Sequence, residues 1–156
     1  MTPGPAFILR PAEERDRDAI ADIWHASASL PGVGPAAMPD RGTMRQWVDE
    51  ELADGWTVTV ADGGGGIVGF VALKPARRVL DQLFVAPGAL GAGVGRALLG
   101  CAMAAMPGGF TLFTRPGNGR ACRFYERAGL SVAGEERHPR TAETVVRYRW
   151  AGTGGA

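Results

Sequence analysis

The stretch Leu83-Phe84-Val85-Ala86-Pro87-Gly88-Ala89-Leu90-Gly91-Ala92-Gly93-Val94-Gly95-Arg96-Ala97-Leu98-Leu99 decides how this chain folds. It begins as an apolar strand, breaks at Pro87-Gly88, passes through the alternating glycines Gly91, Gly93 and Gly95, and runs on into apolar helix formers. A helix opened by such a turn leaves N–H groups unpaired at the positive end of its dipole, and glycine lets an anion come close to them. Arg96 sits in the first turn, where a cation opposes the dipole by about 0.3–1 kcal/mol, and a bound phosphate would reverse that sign. Two common phosphate loops do not fit. A P-loop ends in Gly-Lys-Ser/Thr, and a dinucleotide fingerprint needs glycine where Arg96 stands. On pattern alone, a small-residue helix start with no ligand stays open.

The charge distribution around this turn points the same way. No Asp or Glu occurs from Gln82 to Tyr125, while Arg96, Arg115, Arg120 and Arg123 fall inside that span. Residues 1–81 hold twelve acids and eight bases, and residues 82–156 hold four acids and nine bases, within a net charge of +1. Such asymmetry speaks about partners rather than fold. The basic half suits a phosphate-bearing cofactor, and the acidic half mildly favours a cationic acceptor.

Upstream, Phe7 to Arg10 reads as a strand, and Pro11-Ala12-Glu13-Glu14 opens a helix running to about Ser27. Leu30 to Pro39 is a Pro/Gly loop, and Thr43 to Ala53 a second helix. Trp56–Ala61 and Ile67–Leu73 flank Asp62 and four glycines as a hairpin, and Val79–Val85 follows antiparallel. Downstream, Gly95–Met106 is a helix expected to be buried on most of its surface, and Phe110–Thr114 is a strand. Strand, helix and strand make a βαβ unit with parallel strands. Asn118–Ala128 is a last helix, and Leu130–Ala133 and Thr144–Trp150 are the final strands around a polar loop. The reading is one α/β domain over residues 1–151, with a frayed tail from Gly152 to Ala156.

Composition narrows the classes further. The longest apolar run, Ala97 to Met106, falls short of the roughly 20 residues of a spanning helix, and no signal-peptide pattern opens the chain, so no membrane role and a cytoplasmic location are expected. Cys101 and Cys122 lack metal or redox spacing and read as packing residues, so no metal is expected. The arginines are dispersed rather than gathered on one element, against a nucleic-acid partner.

The quoted stretch resembles the cofactor motif of the GNAT superfamily of N-acetyltransferases. Asn118-Gly119-Arg120-Ala121-Cys122-Arg123-Phe124-Tyr125-Glu126-Arg127-Ala128-Gly129-Leu130 resembles the family's Asn…Ala…Phe-Tyr-x-x-x-Gly-Phe segment, in the right order and some twenty residues on. With Arg10-Pro11-Ala12 and the strand order, the resemblance covers nearly the whole chain and is nearest to small single-domain bacterial members. It implies a mixed, mostly antiparallel sheet with a central parallel pair splayed at the cofactor site. Acetyl-CoA is the implied cofactor. Backbone groups of Leu83, Phe84 and Val85 would meet its acetyl group and pantetheine arm, and Leu90, Gly91, Ala92, Gly93, Val94, Gly95 and Arg96 its pyrophosphate. Asn118 and Ala121 would lie along the arm with Phe124, and the Tyr125 hydroxyl near the thioester sulfur. Leu90 stands where the family usually has Gln or Arg, which predicts some loss of affinity. Dimers are common among such relatives, so a homodimer is an open expectation.

The chemistry implied is direct acetyl transfer to a primary amine of a small molecule or of a protein lysine or N-terminus. That needs a neutral amine, a stabilised oxyanion and a proton for the departing thiolate. Tyr125, with a phenol of ordinary pKa near 10, suits the last role. Strand alternation groups Val79, Asp81, Leu83 and Val85 on one face. The resemblance implies the base: some family members carry a glutamate at the position of Val79, which cannot take a proton here, and others an acid at that of Asp81, so Asp81, directly or through water, is the expected base, unless it only caps the strand or pairs with Arg78. His25 and His138 are read as a helix-end cation and a solvated loop residue. From another class, the rival reading is a non-catalytic acetyl-CoA sensor or interaction module.

Overall fold

The computed structural model describes residues 7–153. Seven strands form one sheet: β1 (Ile8–Pro11), β2 (Thr57–Asp62), β3 (Ile67–Lys74), β4 (Val79–Val85), β5 (Phe110–Thr114), β6 (Ser131–Arg137) and β7 (Thr144–Trp150). Their order is β1-β2-β3-β4-β5-β7-β6, antiparallel throughout except for β4 and β5. Four helices, α1 (Arg17–Ala28), α2 (Arg41–Ala53), α3 (Val94–Ala105) and α4 (Gly119–Arg127), cover the two faces. One core, built on Val71, Leu98, Leu112 and Tyr148, lies under α3 and α4. The other, built on Ile20, Val48, Val60 and Phe70, lies under α1 and α2.

Local sequence explains most boundaries. Asp40 precedes α2 and accepts from the Thr43 amide at 2.7 Å, so the helix starts two residues before the expected Thr43. Asn118 caps α4 in the same way, from Ala121 N at 3.2 Å, and Gly129 ends it at φ +95°. The first helix begins later than expected, at Arg17, after a 3₁₀ turn closed by the reciprocal Glu13–Asp16 capping box. β6 runs to Arg137 rather than Ala133, because a bulge between Val132 and Gly134 lets the strand resume pairing with β7.

One expectation is corrected. Only Val94, Leu98, Leu99 and Ala102 of α3 are buried, so that helix is one-sided rather than buried on most of its surface. Its exposed residues, Arg96, Gly100, Ala104 and Ala105, are charged or small, so exposing them leaves little apolar area in water. The Thr153 amide donates to Pro107 O at 3.0 Å, and the rest of the expected tail lies outside the described residues.

Gly69 on β3 sets how closely α3 sits. A Cβ there would lie 2.9 Å from Val94 Cγ1, 3.0 Å from Phe84 O and 3.1 Å from Leu98 Cδ1. Gly69→Val would therefore push the start of α3 off the sheet, at an overpacking cost of about 2–3 kcal/mol measured by denaturant unfolding.

Candidate active site

The parallel pair holds together at one end only. Val79 pairs with Thr111, and Thr111 N donates to Arg78 O at 3.0 Å, beyond which no β4–β5 pairing continues. On its other edge β4 stays joined to β3. Ala86 N donates to Val68 O at 2.8 Å, which makes Phe84 opposite Phe70 a hydrogen-bonded pair and leaves Leu83 and Val85 in the alternate, non-bonded positions. Their amide and carbonyl groups therefore point into the splay, where Ser27 Oγ already donates to Val85 O at 3.1 Å. The Leu83 N–H faces the opening with no β5 partner.

At the end of β4 the chain enters the glycine turn. Gly91 and Gly93 have φ of +87° and +84°, and Gly93 is the N-cap of α3 without any capping side chain. From Leu90 to Arg96 no backbone N–H donates to a protein acceptor among the described residues. Gly95 packs this turn on the rest of the site, since a Cβ there would rest 3.6 Å from both Val85 Cγ2 and Phe124 Cζ. Phe124 thus supports the turn from beneath, and Leu90 at its start is 40 % exposed.

A cavity of about 670 Å³ opens between the splay and the loops at residues 29–40 and 138–143. Leu83, Phe84, Asp81, Asn118, Ala121 and Tyr125 all line it. Val85 and the segment from Leu90 to Arg96 do not; they continue the site outward along the end of β4 and the start of α3. The Asn118 carbonyl is committed to its cap, so only its NH₂ is available to a ligand. Tyr125 is buried, with an edge-on contact to Phe124 and a tilted one to Tyr148. Its hydroxyl makes no hydrogen bond among the described residues, whereas that of Tyr148 donates to Glu126 at 2.7 Å. Burial, with a smaller contribution from Cys122, pushes the Tyr125 phenol well above its ordinary value.

The expected grouping of Asp81 with Leu83 and Val85 is corrected by the structure. Ala72 pairs with Gln82 and Leu73 with Leu80, so Asp81 is the extra residue of a β-bulge. The alternation shifts there. Leu83 and Val85 pack on the core under α3 and α4, while Asp81 turns to the α1–α2 side and accepts from Trp56 Nε1 at 2.6 Å. It neither caps the strand nor pairs with Arg78. Its second oxygen has no hydrogen-bond partner among the described residues, and it still lines the cavity.

The end of the cavity formed by the loop at residues 138–143 holds residues that sequence reading undervalued. His138, expected to be solvated, lines the cavity with Arg115, Arg140 and Glu143, whereas His25 does not. His138 Nδ1 accepts from the amides of Arg140 and Thr141 at 3.1 and 3.3 Å. Burial and the neighbouring Arg115 and Arg140 lower its pKa. Glu143 ties the two loops, pairing with Arg115 at 2.8 Å and accepting from Ala36 N at 3.3 Å. The acids of the N-terminal half are largely occupied elsewhere: Asp16 and Asp62 by Arg10, Asp18 and Asp49 by Arg45, Asp22 by Arg41, Glu51 by Lys74. Of the acids in that half, Asp81 is the one that lines the cavity.

No helix among the described residues is long and apolar enough to cross a membrane, and no cluster of three or more His, Cys, Asp or Glu among them could hold a metal ion. Known structures share this architecture. A phosphinothricin acetyltransferase from Sinorhizobium meliloti in complex with acetyl-CoA aligns with a TM-score of 0.69 at 20 % identity, over 96 % of this chain and 90 % of its own. A ribosomal-protein-alanine N-acetyltransferase from Brucella melitensis gives 0.69 at 20 % identity, over 92 % and 99 %. An N-acetyltransferase from Staphylococcus aureus gives 0.70 at 16 % identity, over 93 % and 98 %. No curated protein matches the sequence significantly. The sequence model of the acetyltransferase (GNAT) family matches residues 18–130, from the first turns of α1 to the residue before β6. With the splayed strand pair and the glycine turn in place, the chain belongs to the acetyltransferase (GNAT) family.

Proposed function

We propose that this protein transfers the acetyl group of acetyl-CoA directly to a primary amine. The observation that carries the reading is the run of unpaired amides from Leu90 to Arg96 at the start of α3, continuous with the open Leu83 amide in the strand splay. Such a row fits a diphosphate at one end and a thioester carbonyl at the other. When bound, acetyl-CoA supplies the acetyl carbon: the amine N–C bond forms as the C–S bond breaks, and one net proton passes from amine to thiolate.

The chain's own residues divide that work. Leu83 N–H is a fixed donor for the carbonyl oxygen as it gains charge. Tyr125 holds a proton at Oη through the working pH range, because burial disfavours its phenolate. Asp81, with one oxygen fixed by Trp56, keeps the other for the proton of the amine, directly or through water.

Isothermal titration with acetyl-CoA, followed by thiol release with a panel of amines, tests the proposal. Absence of binding at millimolar cofactor would end it, and binding without thiol release from any amine would leave the sensor reading. Asp81→Asn keeps the Trp56 contact and removes the basic oxygen. It should lower kcat/KM about tenfold near neutral pH, with less loss as pH rises and more free amine is present.

A further inference from the structure

The acceptor end of the cavity carries donors that nothing in the proposed acetyl transfer uses. His138 Nδ1 is taken by two backbone amides, so the proton of the neutral ring sits on Nε2. Nε2 has no protein partner among the described residues, and His138 lines the cavity. Beside it, the Arg140 guanidinium lies 4.0 Å over the Trp47 ring, with only Glu51 at 3.9 Å as an acidic neighbour among the described residues. Trp47 packs on Trp24 at 6.0 Å, Trp24 in turn on Trp56 at 5.6 Å, and Trp56 holds Asp81. An aromatic wall thus runs from a carboxylate near the reacting end to a guanidinium and an imidazole N–H at the other.

We propose that the acceptor is a compact amine that also bears a carboxylate, with its apolar body on Trp24 and Trp47 and the carboxylate on His138 Nε2–H and Arg140. This rests on the acetyl-transfer reading and names its substrate class. Arg115 is a weaker candidate for the anion because Glu143 already neutralises it. The groups facing His138 are Arg115, Arg140, Asp81 and Glu143, and with its lowered pKa the ring is a neutral donor near pH 7 rather than a base. The same Glu143 that ties loop 29–40 to the β6–β7 loop restricts the acceptor to something small. A protein N-terminus or lysine side chain would bring an amine but leave both donors without a carboxylate.

The test compares amines that differ only in that group, phenylalanine against phenethylamine and 4-(aminomethyl)benzoate against 4-methylbenzylamine, by thiol release from acetyl-CoA. The carboxylate-bearing member of at least one pair should have the higher kcat/KM by about 10- to 30-fold, mostly in KM. His138→Asn retains an acceptor for the two backbone amides and removes the Nε2 donor. It and Arg140→Gln should each bring the ratio toward one while acetyl-CoA affinity by titration is kept. On the unmodified protein, 3-phenylpropanoate should compete with the amine and shift the His138 Nε2 signal in imidazole ¹⁵N spectra, but not that of His25. Equal or better turnover of the decarboxylated amines in both pairs overturns this proposal and leaves acetyl transfer standing, as does acetylation of a peptide amine in preference to either pair. Failure of acetyl-CoA to bind removes both readings, and binding without turnover of any amine in the panel overturns this one.

Discussion

Tyr125→Phe should lower kcat by about 10²-fold or more while leaving the acetyl-CoA dissociation constant within about threefold of the parent, the loss typical of removing a positioned general acid. The variant keeps the ring, its contacts to Phe124 and Tyr148, and its place in the core, so only the hydroxyl changes. That hydroxyl has no protein hydrogen bond among the described residues to lose, so the fold should tolerate its removal. The sign of the pH dependence follows from burial: it disfavours the phenolate, raises the folded-state pKa, and keeps the donor protonated through neutral and mildly alkaline pH. The parent's kcat should therefore show no alkaline fall from Tyr125 within that range. A Tyr125→Phe enzyme within threefold of the parent in kcat would assign the thiolate proton to another group, with water in the cavity the first alternative.

What the sequence could and could not reveal follows from the range of the interactions involved. The glycine turn, the βαβ unit and the α4 cap are local: Gly91, Gly93 and Asn118 act on backbone a few residues away, and their patterns are readable from the string. The side to which Asp81 points is not local. It depends on a bulge that exists only once Leu73 and Leu80 have paired across strands, and period-two alternation misplaces every residue beyond such a point. His138 was hidden for a related reason. Its neighbours Glu135, Glu136, Arg137 and Arg140 read as a solvated charge run, yet the strand continues to Arg137, four residues beyond its expected end, and His138 directly after it lies in the cavity wall. The polar loop between the last two strands was legible, but it names a region rather than a residue. Charge counting also names no residue: Arg10, Arg41 and Arg45 pair with Asp16, Asp22 and Asp18 away from the cavity, and only the fold shows that Asp81 lines it.

The double substitution Gly91→Ala with Gly93→Ala tests the amide row and should raise the acetyl-CoA dissociation constant about 100-fold, roughly tenfold from each site. Neither new methyl meets a protein atom within 4 Å, so collision with the fold is not the cause. The cause is backbone: φ of +87° and +84° costs a residue with a Cβ about 1–2 kcal/mol, and the turn relieves it by rotating its N–H groups away from a common focus. Because the first buried side chain of α3 is Val94 and the helix is anchored through Leu98, Leu99 and Ala102, unfolding stability should fall far less than affinity. Gly88→Ala is the matched control. It too has open space around its Cβ, but its φ lies outside the left-handed region and it precedes the row, so its affinity should stay within about threefold of the parent. Loss confined to the Gly91 and Gly93 variants would tie affinity to backbone conformation at that turn. Unchanged affinity in the double variant would mean that the diphosphate is held by side chains, with Arg96, Arg120 and Arg123 then the groups to remove.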